Sequence, residues 1–211
     1  MKKRIFSLVL ALMMLMNIVA LMPTANAATF SDVPDNHWAK SYIEQMQGSN
    51  IINGYEDGTF KPEKEVKVGE FIKILCVKVF PDFKYIPPED GSNWSRPYVE
   101  ALDGVLLKAR DYNDAIVSRA ITREEAAKLI CYFHVLVDGS KQEEFTLGKN
   151  EEYIKNFSDE SLITNSTSRM LIDNCVRFGL INGFEDGTFR PNATLTRAQA
   201  SKMVYTAIYN R

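Results

Sequence analysis

The chain has 211 residues, 45% of them hydrophobic and 25% charged, an ordinary globular composition that excludes disordered and collagen-like classes. Lys and Arg number 25 against 27 Asp and Glu, so the marked basic excess of a nucleic-acid-binding surface is missing. Three cysteines in this length also exclude a disulfide scaffold.

The chain begins with Lys2, Lys3 and Arg4, continues through an almost wholly apolar stretch at 5–22, and reaches Pro23 and the small residues Ala25-Asn26-Ala27. This pattern reads as a secretory signal peptide over 1–27. A retained membrane anchor is the alternative, because an 18-residue apolar stretch approaches the length needed to cross a bilayer. No cysteine precedes Cys76, which excludes a lipoprotein. Removal of the segment leaves 184 residues with 22 cations and 27 acids, a net charge of −5. The expected product is exported and mildly acidic, with no membrane partner after cleavage.

The next element is a helix on which Trp38, Tyr42, Ile43 and Met46 share one apolar face. A turn follows at Asp57-Gly58, with Pro62 just beyond, and a second helix carries Phe71, Ile74, Leu75 and Val79. After a proline-bearing linker at 81–92, the first-helix spacing returns in Trp94, Tyr98, Val99, Leu102 and Gly104. The sequence DYNDAIVSRA stands where the turn loop would be, and Ile121-Thr122-Arg123-Glu124-Glu125 opens another helix. A charged insertion at 138–156 leads into the last stretch, whose second helix carries Ala200, Met203, Val204 and Ile208.

These stretches are copies of one another. Residues 51–62 read IINGYEDGTFKP and residues 180–191 read LINGFEDGTFRP, identical at nine of twelve positions at a displacement of 129. Three helix-loop-helix units are expected, at 28–80, 88–137 and 155–211, the second without the EDGTF loop. None of these units encloses a core alone, so the three are expected to pack together in a mainly α fold.

The sharpest local signal is Thr-Arg-x-Glu/Gln, at Thr122 to Glu125 and Thr196 to Gln199. Thr followed three residues on by Glu or Gln forms a capping box and fixes the helix start. It leaves Arg123 and Arg197 in the first turn, where the helix dipole disfavours a cation. Such a local cost points to an anion, either a ligand received beside free helix N–H groups or an acidic side chain of a neighbouring unit. The first unit reads Lys67-Val68-Gly69-Glu70 here, with neither cap nor arginine. Restoring the element as Lys67→Thr with Val68→Arg and Gly69→Ala is expected to stabilise that helix, the last by relieving the helix cost of glycine, and to recover a further site.

Trp38 and Trp94, at the starts of first helices, are candidates for stacking on a sugar or for anchoring the core; the third unit has Thr167 instead. Asp32 and Asp159 recur in Phe-Ser-Asp and are expected to hydrogen-bond sugar hydroxyls or to cap a turn. Catalytic readings find little support, because His37 and His134 are the only histidines and neither HExxH nor GxSxG occurs. Cys131 and His134 read as helix packing, and symmetry brings Cys76 toward Cys131, both as buried thiols. The NGYEDGTF loop lacks oxygen ligands where a calcium loop requires them. No enzyme activity, cofactor or metal site is therefore expected.

The pattern FSDVPDNHWAKSYIEQMQGSNIINGYEDGTFKP, with ITREEAAKLI and LTRAQASKMV, closely resembles the S-layer homology family over nearly the whole exported chain. The resemblance implies a three-lobed, pseudo-threefold helical domain with grooves between adjacent repeats. It implies that those grooves bind secondary cell-wall polysaccharide, often bearing a pyruvate ketal, at a Gram-positive-type envelope or S-layer. It makes Arg123 and Arg197 groove residues, alongside the candidates Asp32, Trp38, Trp94 and Asp159. Val68, the missing loop of the second unit and Thr167 depart from the family pattern, so one or two competent grooves are expected. The expected function is non-covalent wall anchoring; the alternative is an assembly protein that contacts other envelope or S-layer proteins.

Overall fold

A computed structural model describes residues 30–137 and 152–209. The basic and apolar N-terminal segment with its cleavage signal, and most of the charged insertion, lie outside the described residues. Among the described residues no helix is long and apolar enough to cross a membrane.

The fold is mainly α. Helix α1 (Lys40–Gly48) buries Ile43 and Met46, and α2 (Val68–Val79) buries Phe71, Ile72, Ile74, Leu75 and Cys76. The short α3 (Arg96–Ala101) has Pro97 in its first turn, where the missing N–H costs nothing, and buries Tyr98 and Val99. In place of a tight loop, DYNDAIVSRA forms α4 (Asp114–Ser118), capped by Asn113 Oδ1 on the Ile116 N–H at 3.0 Å. Helix α5 (Arg123–Val137) follows. Helix α6 (Ser166–Arg177) is capped by Asn165 Oδ1 on the Ser168 N–H at 2.9 Å, and α7 (Arg197–Tyr209) ends the described chain.

The starts of α2, α5 and α7 meet at the centre of the molecule. Val66 N donates to Leu195 O at 2.9 Å, Leu195 N to Ile121 O at 3.2 Å, and Ile121 N to Val66 O at 2.9 Å, a closed cycle of three hydrogen bonds. The three side chains on this cycle are at most 2% exposed. A second cycle surrounds it: Val68 N donates to Arg119 O, Arg123 N to Ala193 O and Arg197 N to Lys64 O, at 2.8 to 2.9 Å. Each late helix then packs on the early helix of the next segment, α2 on α3, α5 on α6 and α7 on α1. The last pairing returns the chain to its beginning, so three lobes surround a pseudo-threefold axis and no segment encloses its own core.

Both capping boxes form. Thr122 N donates to Glu125 Oε2 at 3.0 Å and Glu125 N to Thr122 Oγ1 at 3.3 Å; Thr196 and Gln199 repeat this at 3.2 and 3.3 Å. At α2 half of the box survives, with Glu70 Oε2 on the Lys67 N–H at 2.9 Å.

The expected gain from Gly69→Ala is overturned by packing. A Cβ at Gly69 would lie 2.5 Å from Ser95 Oγ and 2.7 Å from Ser95 Cβ, and Ser95 is fully buried. Glycine here permits the close approach of α2 to the entry of α3, which outweighs helix propensity. The neighbour of the Cys131 thiol is Cys175, across the α5–α6 contact, rather than Cys76. Cys175 Sγ donates to Ala127 O at 3.4 Å, and burial beside Cys131 raises its pKa; burial alone pushes the Cys76 thiol up to about 11.

Candidate functional site

The two EDGTF loops are built alike. Asp57 Oδ1 accepts from the Thr59 N–H at 3.0 Å and from the Thr59 hydroxyl, while Oδ2 pairs with Lys61 Nζ at 2.9 Å. Asp186, Thr188 and Arg190 repeat the arrangement. The Thr and cation partners hold both carboxyls down at about 2, below their usual 3.8. Each loop turns through a glycine at φ 77°, Gly58 or Gly187, and then through Lys61 or Arg190 at φ 57° or 59°.

Asp32 and Asp159 hold that second, strained turn. Asp32 accepts from the Phe60 and Lys61 N–H groups at 2.7 Å, one on each oxygen, and Asp159 accepts from Phe189 and Arg190 at 2.8 and 2.7 Å. Of the two roles expected for these aspartates, the geometry displays the turn-capping one.

Against each loop lies the arginine of another lobe. Arg197 Nε donates to Phe60 O and Nη2 to Asn53 O, both at 2.8 Å, with the guanidinium 5.0 Å from the Tyr55 ring and 4.4 Å from Phe60. Arg123 Nη2 donates to Asn182 O, and its guanidinium lies 4.8 and 5.0 Å from the Phe184 and Phe189 rings. Arg123 is only 7% exposed, and its Nε is buried without a hydrogen-bond partner. Among the described residues neither arginine forms an ion pair, so the intramolecular acidic partner considered from sequence is not there. Burial, with Arg190 nearby, pushes the Arg123 guanidinium down to about 10; burial also lowers that of Arg197.

The expectation of free helix N–H groups beside these arginines is corrected. The Arg123 and Glu124 N–H groups donate to Ala193 O and Pro191 O, those of Arg197 and Ala198 to Lys64 O and Pro62 O, and the third of each set goes to the threonine cap. Closing the ring consumes these donors, and the guanidinium is the one cationic feature left at each helix start.

Two of the cavities between lobes concern these residues, and the displacement of 129 defines a counterpart of the first around Arg197. The first, of 320 Å³, brings Arg123 together with Trp38, Lys202, Gln199 and the backbone at 179–184. Its residues come from all three lobes. Trp38 is 52% exposed, with His37 stacked on it at 5.8 Å. In the second groove, the displacement of 129 maps Asn182, Phe184 and Lys202 onto Asn53, Tyr55 and Lys73. Here Arg197 bonds Asn53, and Lys73 Nζ sits 6.0 Å from the ring of Trp94, itself 41% exposed. Both tryptophans are therefore surface groups and not core anchors, and Trp38 lines the Arg123 groove.

The third groove collects every departure from the pattern. Val68 occupies the arginine position, the DYNDAIVSRA stretch at 111–120 replaces the EDGTF loop and lines the groove with Asp111, Tyr112, Ile116 and Arg119, and Thr167 occupies the tryptophan position. These losses fall in three different repeats of the sequence, yet the ring brings them to one place. Sequence reasoning missed the lysines: Lys73, Lys128 and Lys202 recur three residues after the capping Glu or Gln, a periodicity that was available.

Comparison with known proteins agrees with this geometry. The S-layer homology domain model matches residues 29–72 and 172–201. Over those two segments the chain is similar to S-layer homology domains. It is 28% identical over 187 residues to an amylopullulanase of Thermoanaerobacterium thermosulfurigenes, covering 84% of this chain and 9% of that protein. It is 26% identical over 193 residues to S-layer protein EA1 of Bacillus anthracis, covering 86% and 20%. A cellulosome-anchoring protein of Acetivibrio thermocellus is 31% identical over 85 residues, covering 36% and 19%. The chain thus spans a fifth or less of the length of each of these relatives. The segments matched by the model contain the two EDGTF loops, along with Trp38 and Arg197.

Proposed function

We propose that the protein fastens non-covalently to the bacterial cell wall by gripping an anionic secondary wall polysaccharide in the Arg123 and Arg197 grooves. The observation that carries this reading is Arg123: a residue 7% exposed, its guanidinium held by one carbonyl and in no ion pair among the described residues, with Asp159 acting on it only from a distance. A buried cation without a counter-charge is costly, and an anion entering the groove relieves that cost. A carboxylate such as that of a pyruvate ketal matches the planar guanidinium fork. Trp38 and Trp94 offer sugar-sized aromatic faces beside Lys202 and Lys73, while Asp32 and Asp159 position the loops instead of touching sugar.

The similarity to a cellulosome-anchoring protein and to an S-layer protein supports a secreted, wall-associated setting. Similarity to an amylopullulanase over 9% of its length gives no reason to assign catalysis here, and the proposed role is binding alone. The assembly reading, in which the grooves contact other envelope proteins, draws on the S-layer relative. A pull-down with purified walls separates the two. Binding that disappears when non-peptidoglycan polymers are stripped supports polysaccharide anchoring, and undiminished binding to stripped walls contradicts it.

A further inference from the structure

The third groove has not closed over its losses. It is a cavity of 830 Å³, more than twice the 320 Å³ of the Arg123 groove. Val68 and Thr167 are smaller than the arginine and tryptophan they stand for, and Tyr132, larger than the Thr206 of the equivalent position, does not make up the difference. Its electrostatics differ as well. Arg119 is held by both oxygens of Glu125, one at 2.8 Å, and Glu125 is tied in turn to the Thr122 cap. Lys128 stands 4.0 Å from Glu124. Arg119 and Lys128 are thus each answered by a carboxylate and Lys108 is exposed to solvent, whereas Arg123 is buried without an ion pair among the described residues.

The remaining lining is amphipathic. Leu129 and Leu171 form an apolar floor, Tyr112 and Tyr132 present rings, and Asn165 and Thr167 offer amide and hydroxyl groups at the rim. Tyr132 is 45% exposed, so its ring is available for stacking. An occupant matching this lining has an apolar face, hydrogen-bonding edges and no charge to desolvate.

We propose that the Val68 groove is a second kind of carbohydrate site, one that takes uncharged saccharides stacked on Tyr132. The inference rests on the wall-polysaccharide reading of the other two grooves. On one scaffold, two grooves grip charged units while the third accepts uncharged ones. With Lys108 hydrated at the surface and no buried cation left unpaired among the described lining residues, little would offset the loss of an anion's hydration here.

The test is calorimetric titration of the whole protein with short uncharged oligosaccharides, chitotriose and cellotriose among them, and in parallel with an anionic wall-polymer fragment. Tyr132→Ala is expected to weaken uncharged-saccharide binding roughly tenfold and to leave anionic-fragment binding unchanged. The Trp38→Ala/Trp94→Ala pair is expected to do the reverse. Because all three side chains are substantially exposed, unchanged melting curves verify that each variant folds. Thr167→Trp, which puts bulk back into the groove, should block the uncharged ligands as a second check. Absence of uncharged-saccharide binding, or binding indifferent to Tyr132→Ala and Thr167→Trp, overturns the proposal while the anionic titration still reports on the other grooves. Displacement of the saccharide from this groove by a wall stem peptide that binds it more tightly also overturns it, by identifying a peptide site.

Discussion

The Arg123 groove and the Val68 groove are the same piece of architecture in two conditions. Each lies between the start of one late helix, the loop and late helix of a second lobe, and the early helix of a third. In the first, an arginine, an EDGTF loop and a tryptophan converge on 320 Å³ around an unneutralised guanidinium. In the second, valine, a short helical turn and threonine leave 830 Å³ around paired charges. The lesson is that the unit of function is the groove and not the repeat. Each repeat has lost a different element, and the cyclic order of the lobes gathers these losses in one groove.

The largest effect that sharpens this contrast comes from Arg123 itself. Arg123→Ala removes a side chain packed against two phenylalanine rings and bonded to Asn182 O, and is expected to cost about 3 kcal/mol on denaturant unfolding. The cost arises from its insertion into another lobe, not from its place in the first turn of α5. Arg123→Met retains most of the packing and discards the uncompensated charge. Its stability is expected to stay within about 1 kcal/mol of the natural protein while anionic-fragment binding in that groove is lost. The valine groove has no such tension, so Val68→Met should change neither property by much.

Asp32→Ala comes next, because it leaves the Phe60 and Lys61 N–H groups without their acceptor and Lys61 in a left-handed conformation. A cost of about 2 kcal/mol is expected, with protection of those amides in hydrogen exchange lost before the rest of the fold. Gly69→Ala should destabilise by about 1 to 2 kcal/mol by overpacking against Ser95; a gain in melting temperature would contradict the observed approach of α2 to α3.

The smallest effect is on pH dependence. Asp57 and Asp186 titrate at about 2 in the folded protein against the usual 3.8, so the unfolded chain binds protons first on acidification. Their contribution is fully present above pH about 4 and is lost as pH falls toward about 2. Asp57→Asn/Asp186→Asn should flatten the acid limb of the stability profile in that window and leave neutral-pH binding in place.

Much of this was legible in sequence. The helices, both capping boxes, the EDGTF turns and the arginines followed from local periodicity and from the displacement of 129, because each is decided within a few residues. What escaped was set between lobes. Nothing local indicates that the first-turn N–H groups of α5 and α7 are consumed by the ring, that Gly69 is held by Ser95, or that Cys131 meets Cys175. The convergence of Val68, Thr167 and the missing loop on one groove also requires the cyclic order of the lobes. Trp38 and Trp94, apolar and at helical spacing, were ambiguous until exposure separated them from Ile43 and Val99 beneath.

The central claim is that two grooves, and only those two, grip an anionic wall unit. Titration calorimetry of the protein with a short pyruvylated wall-polymer fragment counts them directly. Two sites are predicted, falling to one in either Trp38→Ala or Trp94→Ala, and unchanged in Tyr132→Ala. Three equivalent sites, or binding that survives the two tryptophan substitutions together, would contradict the account.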